Sequence, residues 1–245
     1  MKKYLSSAQL KVLARGQLIG HYGVTIWVFL LIGVINLLVN SVFSGLLDTS
    51  SVFGTILYFI ISFLVSVIMG LFTVGENYLY LKLATGQPVT VSDIWYGFQN
   101  NRDTALKLLA IYNVFLYVCM IPYLLLSQRL LDTNDLTTMN MEYFTPFCIA
   151  FVLGNVLTIY VSLLFSQIFY LVLDFPNYSA MQLMNYGFRL MKGNKRRLFY
   201  IELSFLPLIL LAFLSLGIGF LWIYPYMCAT NANFFLDLIK KESVI

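Results

Sequence analysis

From Val52 to Leu81 the chain runs thirty residues with one acidic side chain, Glu76, and no lysine or arginine. A helix crossing the roughly 30 Å hydrocarbon core of a bilayer needs about 20 apolar residues. Only helices and closed barrels satisfy their own backbone there. Comparable runs are His21 to Phe43, Thr104 to Leu126, Pro146 to Leu173, Leu198 to Leu214 and Gly219 to Leu238. Of the 245 residues 60% are hydrophobic and 11% charged, against about a quarter charged in soluble domains. The fold class is all-α, a polytopic helical membrane protein made of a single membrane domain, residues 1–245.

Lysine and arginine collect on cytoplasmic segments and so report orientation. Six spans with the N-terminus inside place 14 of the 15 basic residues in the cytoplasm, Lys2, Lys3, Lys240 and Lys241 among them, and leave Arg129 outside. The last apolar region, Leu198 to Leu238, is about twice the length that one crossing holds. A hairpin turning at Ser215 to Gly219 accommodates it, because glycine tolerates the positive φ of a tight turn. No small-x-small cleavage site follows the apolar stretch after Gly23, which is read as a retained first span. The expectation is a bacterial plasma (inner) membrane protein with both termini in the cytoplasm and six transmembrane helices paired as three hairpins.

Amphipathic stretches precede the first, third and fifth spans: SAQLKVLARGQLIGH (7–21), VSDIWYGFQNNR (91–102) and YSAMQLMNYGFRLMKGNKRR (178–197). In the last of these, Ala180, Leu183, Met184, Gly187, Leu190 and Met191 recur at helical spacing. All three are too polar to span and fit the membrane interface. Tyr96-Gly97-Phe98 parallels Tyr186-Gly187-Phe188, and YLYLKL (78–83), YLVLDF (170–175) and NFFLDL (233–238) end the second helix of each pair alike. An interfacial helix followed by a hairpin thus repeats over 5–83, 91–175 and 179–241.

LKVLARGQLIGHYGVTI, SAMQLMNYGFRLMKGNKRRLFYIELSF and LGIGFLWIYPYMCATNANFFLDL resemble the bacterial domain of unknown function 975, a group of polytopic membrane proteins. The resemblance covers nearly the whole chain. It implies a helical membrane domain and supplies no catalytic residue. One departure is MIPY at 120–123, where the family more often has a proline-glycine pair.

Chemistry is sparse. His21 is the sole histidine, and Cys119, Cys148 and Cys228 show no CxxC spacing, so no metal or cofactor site is expected. No catalytic constellation accompanies them, and an enzyme is disfavoured. Ionisable groups inside spans are functional candidates by default, because charge is costly there. Glu76, Asn77, Asn113, Glu202 and Asn231 form a candidate polar cavity open to the cytoplasm. The competing reading is a layer of salt bridges in which Glu76, Glu202, Asp174 and Asp237 meet Lys195, Arg196 and Arg197 at the helix ends. Amides such as Asn36, Asn40, Asn155, Gln167 and Asn233 read as hydrogen-bonded helix glue. Trp222 and Tyr224 read as part of the outer aromatic belt. Pro207 and Pro225 should bend their helices.

Lys11, Arg15, Arg189, Lys192, Lys195, Arg196 and Arg197 are candidate contacts for anionic lipid headgroups. The partners expected are membrane lipids and a membrane protein or a second copy of the chain, and not nucleic acid. The reading is a non-enzymatic lipid- or partner-binding membrane protein, a scaffold, assembly factor or regulator. The alternative is a small transporter or lipid-handling protein with its cavity between the hairpins.

Overall fold

The computed structural model describes residues 4–46, 52–131 and 141–242, which form α-helices and one 3-10 turn. Lys2 and Lys3, counted above with the basic N-terminal segment, lie outside the described residues. The helices are α1 (Ser7–Leu18), α2 (Tyr22–Leu46), α3 (Val52–Ala84), α4 (Tyr96–Gln99), α5 (Arg102–Leu131), α6 (Met141–Phe165), α7 (Ile168–Asp174), α8 (Ala180–Met191), α9 (Lys195–Leu203), α10 (Leu206–Leu214) and α11 (Phe220–Glu242), with the 3-10 turn at Val91–Trp95. Five stretches are long and apolar enough to cross a membrane: Tyr22–Phe43, Phe53–Ala84, Arg102–Ser127, Glu142–Asp174 and Lys195–Leu214. The chain is a multi-pass helical membrane protein.

Helix α11 has the length of a span without that apolarity. Thr230, Asn231, Asn233 and Asp237 lower its hydropathy, and the rest of the protein covers it. Ala229, Thr230, Ala232, Phe234, Phe235 and Leu238 are almost fully buried, and α1, α2, α3 and α10 pack on it. The turn before it falls where the glycines predict. Leu216 (φ +54) and Gly217 (φ +89) are left-handed, and the Gly217 amide donates to the Ala212 carbonyl at 2.9 Å, a bond that closes a helix C-terminus.

Two apolar stretches are broken. Between α9 and α10 the break at Ser204–Phe205 precedes Pro207, which lies in the first turn of α10. Proline has no N–H and its ring clashes with the carbonyl four residues earlier, so it suits a helix start and ends the helix before it. Lys11 donates to the Ser204 carbonyl at 2.9 Å and satisfies the interrupted backbone. Pro225, also expected to bend its helix, lies one turn inside α11, which runs on from Phe220 to Glu242. The second break, at Ser166–Gln167 between α6 and α7, has neither proline nor glycine. There the Ser166 hydroxyl donates to the Leu163 carbonyl at 3.0 Å, and such local bonds compete with the helical ladder.

The amphipathic stretches fold as short helices with matching ends. Ser6 and Gln9 form a capping box on α1, Ser179 and Gln182 one on α8, and Thr90 and Asp93 one on the 3-10 turn. Each box satisfies backbone donors that the first turn leaves free. A left-handed residue then redirects each chain into the next long helix: Gly20 (φ +85), Gly193 (φ +85) and Asn101 (φ +50).

The short elements dock on α3, α7 and α11. The 3-10 turn and α4 pack on α3, α8 packs on α7, and α1 packs on α11, so the first element of the chain closes a ring against the last. The approach is backbone-close. A Cβ on Gly75 would lie 1.9 Å from the Ile94 carbonyl oxygen, one on Gly97 2.3 Å from that of Leu71, and one on Gly187 2.3 Å from Ile168 Cγ1. In α1 the small residue at the contact is Ala14, fully buried.

This contact gives a stability test. Gly75→Ala should destabilise the protein by about 3 kcal/mol, since overpacking against backbone is not relieved by a side-chain rotation. Gly16→Ala, in α1 with open space around the new Cβ, should be neutral or gain a few tenths of a kcal/mol. Thermal unfolding in detergent checks both, and equal midpoints for the two variants would refute the close approach.

Candidate functional site

Where α3, α7 and α11 meet, their matched endings carry Lys82, Asp174 and Asp237. Lys82 bonds both oxygens of Asp93, at 2.9 and 3.0 Å, and so ties α3 to the capping box that docks on it. Asp237 accepts the Leu5 amide at 3.2 Å and the Arg197 guanidinium, while Arg197 also donates to the Leu5 carbonyl at 2.8 Å. The start of α1, α9 and the end of α11 are thereby joined at one point. Arg197 further lies 4.3 Å from the Tyr4 ring and 4.9 Å from that of Phe234. Gln17 completes the closure by exchanging two amide bonds with Asn233 and donating to the Ala84 carbonyl at 3.2 Å.

Six residues before those charges in sequence stand Glu76, Ile168 and Asn231. Glu76 is 5% exposed. Its Oε2 accepts the Tyr224 hydroxyl at 2.8 Å, and its Oε1 is buried with no hydrogen-bond partner. Glu76 forms no ion pair among the described residues. Gln167, fully buried at the α6–α7 break, donates to Asn231 Oδ1 at 3.3 Å and to Ser166 Oγ at 3.2 Å, and its own Oε1 lacks a partner. The Tyr80 hydroxyl is likewise buried and unpaired. The Tyr170 ring stacks on Phe235 at 5.0 Å and fills the space below.

A cavity of about 140 Å³ adjoins this layer, between α9–α10 and α11. Glu202, Phe205, Tyr224, Cys228 and Asn231 are among its walls. The Glu202 side-chain carboxylate has no hydrogen-bond or ion-pair partner among the described residues. The cavity thus lies between α9, the α9–α10 break and α11, and its walls include no residue of α2, α3, α5, α6 or α7.

Of the five residues expected around a polar cavity, Glu202 and Asn231 line it, and Glu76 adjoins it through the shared Tyr224. Asn113 lies elsewhere: it is buried on α5 and donates to the Leu109 carbonyl of its own helix at 2.8 Å. Asn77 is half-buried beside Glu76. Of the four carboxylates in the competing salt-bridge reading, Asp237 alone is paired with a cation among the described residues. Tyr224, expected in the outer belt, instead reaches inward to Glu76. Its recognisable signal was spacing, since Tyr224, Cys228 and Asn231 recur at intervals of four and three on one helix face.

The basic residues divide in two groups. Lys11 is committed internally, with its ammonium 3.8 Å from the Phe205 ring, and burial lowers its pKa from the ordinary lysine value. Arg197 is committed to Asp237. Lys192 and Arg196 are exposed, and Arg15 lies over the Tyr226 ring and Arg189 over that of Tyr186. Lys195 donates to the Tyr160 hydroxyl at 2.8 Å and shares an open groove of about 500 Å³ with Arg196, Leu163 and Phe199.

The family described as protein of unknown function (DUF975) matches residues 1–242. The chain belongs to that family. No curated protein and no solved structure matches it. In this DUF975 protein the polar layer and the cavity beside it are the candidate site.

The Tyr224–Glu76 bond can be isolated by a double-mutant cycle. Tyr224→Phe should cost about 1 to 3 kcal/mol by leaving a second carboxyl oxygen unpaired. Glu76→Gln keeps an acceptor for the hydroxyl and should cost less. Glu76→Leu removes the acceptor, and strict additivity of that substitution with Tyr224→Phe in thermal unfolding would mean that the side chains do not interact.

Proposed function

We propose that this DUF975 protein is a non-enzymatic membrane protein that binds anionic lipid and serves as a scaffold, assembly factor or regulator for a membrane partner, which includes a second copy of itself. In this reading it has six spans in the bacterial plasma membrane, α11 being the sixth, with both termini in the cytoplasm and three repeats of a short interfacial helix plus hairpin. The matched capping boxes and the left-handed residues that follow them support the repeat. The observation that carries the functional reading is the filled centre. Tyr80 on α3, Tyr170 on α7 and Phe234 and Phe235 on α11 are almost wholly buried, and the Tyr170 ring stacks on Phe235, where a wide transport pathway would need open space. The Lys195–Arg196 groove, with Tyr160 and Phe199 beside the charges, suits a phosphate-bearing headgroup above an acyl chain.

A second reading is favoured by one specific observation. Glu76 is buried with an unpartnered oxygen next to a cavity, and a carboxyl so placed holds a proton or a cation. A small transporter or lipid-handling protein would use such a group, with the cytoplasm-facing cavity as its binding place.

The first reading predicts selective lipid retention. Native mass spectrometry of the purified protein should show phosphatidylglycerol retained over phosphatidylcholine, and Lys195→Gln with Arg196→Gln should weaken retention about tenfold or more, at about 1 kcal/mol per charge. Equal retention of both lipids by the unaltered chain would count against it.

A further inference from the structure

The cavity walled by Glu202, Phe205, Tyr224, Cys228 and Asn231 does not fit the lipid groove, which lies at Lys195 and Arg196. Its volume of about 140 Å³, filled at an interior packing density near 0.75, corresponds to roughly 100 Å³ of ligand. That is the size of a small organic molecule or of one headgroup fragment. The one charged wall is the Glu202 carboxylate, without a partner among the described residues. The basic side chain packed nearby, Lys11, already donates to the Ser204 carbonyl on the other side of the α9–α10 break. Tyr224 adds an aromatic ring, which attracts cations and repels anions, while the Phe205 ring already holds the Lys11 ammonium at 3.8 Å. Asn231 has given one amide atom to Gln167, so its other amide atom is left for a ligand. Behind Tyr224 lies Glu76, a second carboxyl with an unpaired buried oxygen.

We propose that this cavity binds a small primary ammonium bearing an adjacent oxygen, ethanolammonium in type, with the ammonium on Glu202 and the oxygen at Asn231. A quaternary ammonium has no N–H to give Glu202 and is discriminated against, while an anion meets the like charge of Glu202. The same chemistry is offered by a free amino alcohol and by the headgroup of phosphatidylethanolamine. The proposal rests on the cavity reading given second above and does not depend on the lipid groove.

The full chain, reconstituted in phosphatidylcholine nanodiscs, is titrated with ethanolammonium chloride and its unfolding midpoint compared with sodium chloride at equal ionic strength. A second preparation contains phosphatidylethanolamine and no free amine. A saturable rise in the first arm assigns the site to a soluble amine, and a rise in the second alone assigns it to the lipid headgroup. In either arm Glu202→Gln should weaken the response about tenfold or more, the loss expected for a hydrogen bond between charged groups. Should that variant fail to fold, Asn231→Ala makes the same test from the opposite wall. No rise in either arm, or a Glu202→Gln response equal to the unaltered protein's, overturns the proposal. Binding without amine flux in liposomes would uphold the site while removing the transport reading. Loss of phosphatidylglycerol retention in the Lys195 and Arg196 variants would leave it untouched.

Discussion

A polar helix can live inside an apolar membrane domain only where protein covers it, and α11 obeys that constraint. Thr230, Asn231, Asn233 and Asp237 would each be costly against lipid. Each is instead met from inside: Thr230 by its own helix at the Tyr226 carbonyl, Asn231 by Gln167, Asn233 by Gln17, and Asp237 by Arg197 and the Leu5 amide. Those partners come from α1, α9 and the α6–α7 break, so satisfying one helix draws the distant parts of the chain together. The ring closure of α1 on α11 follows from this requirement. The close contacts at Gly75, Gly97 and Gly187 bring the other short elements in by the same route, because only small residues let backbones approach so nearly.

Much of the architecture was legible in the residues. The long apolar runs, the turn at Ser215–Gly219 and the three short helices all read from composition, periodicity and glycine chemistry. The α9–α10 break followed from Pro207. The α6–α7 break did not, because no residue type announces it: Ser166 and Gln167 are common inside membrane helices, and their effect depends on Asn231 being within reach. Tyr224 was misplaced for a related reason. A tyrosine near a span end anchors in the interface by default, and Glu76, which draws it inward, sits 148 positions away in sequence. Long-range pairings of single polar groups leave no local pattern, whereas backbone geometry does.

The basic residues teach the same distinction. Charge segregation along the chain predicts which segments carry lysine and arginine, and says nothing of which side chains remain available. Lys11 and Arg197 are spent on tying helices, while Lys192, Lys195 and Arg196 face outward or into an open groove. Electrostatic attraction to an anionic membrane therefore rests on the second group, since a guanidinium already paired with a carboxylate adds little net field beyond the pair.

Comparison of the three matched levels bears on what Glu76 is for. In the repeat proposed above, the place of Glu76 is taken by Ile168, fully buried, in the second unit and by Asn231 in the third. On that proposed repeat a wholly apolar side chain packs at one of three matched places, so the repeat itself does not call for a polar group there. A carboxyl with one unpartnered buried oxygen is less stable than a well-packed isoleucine at such a site, because its desolvation is only partly offset by one phenolic hydrogen bond. Structural glue would be served by an amide, as at Asn231, or by no polar atom at all. An ionisable group at a cost the packing does not demand, beside a cavity that opens one helix away, is the observation on which the proposed proton- or cation-holding reading rests.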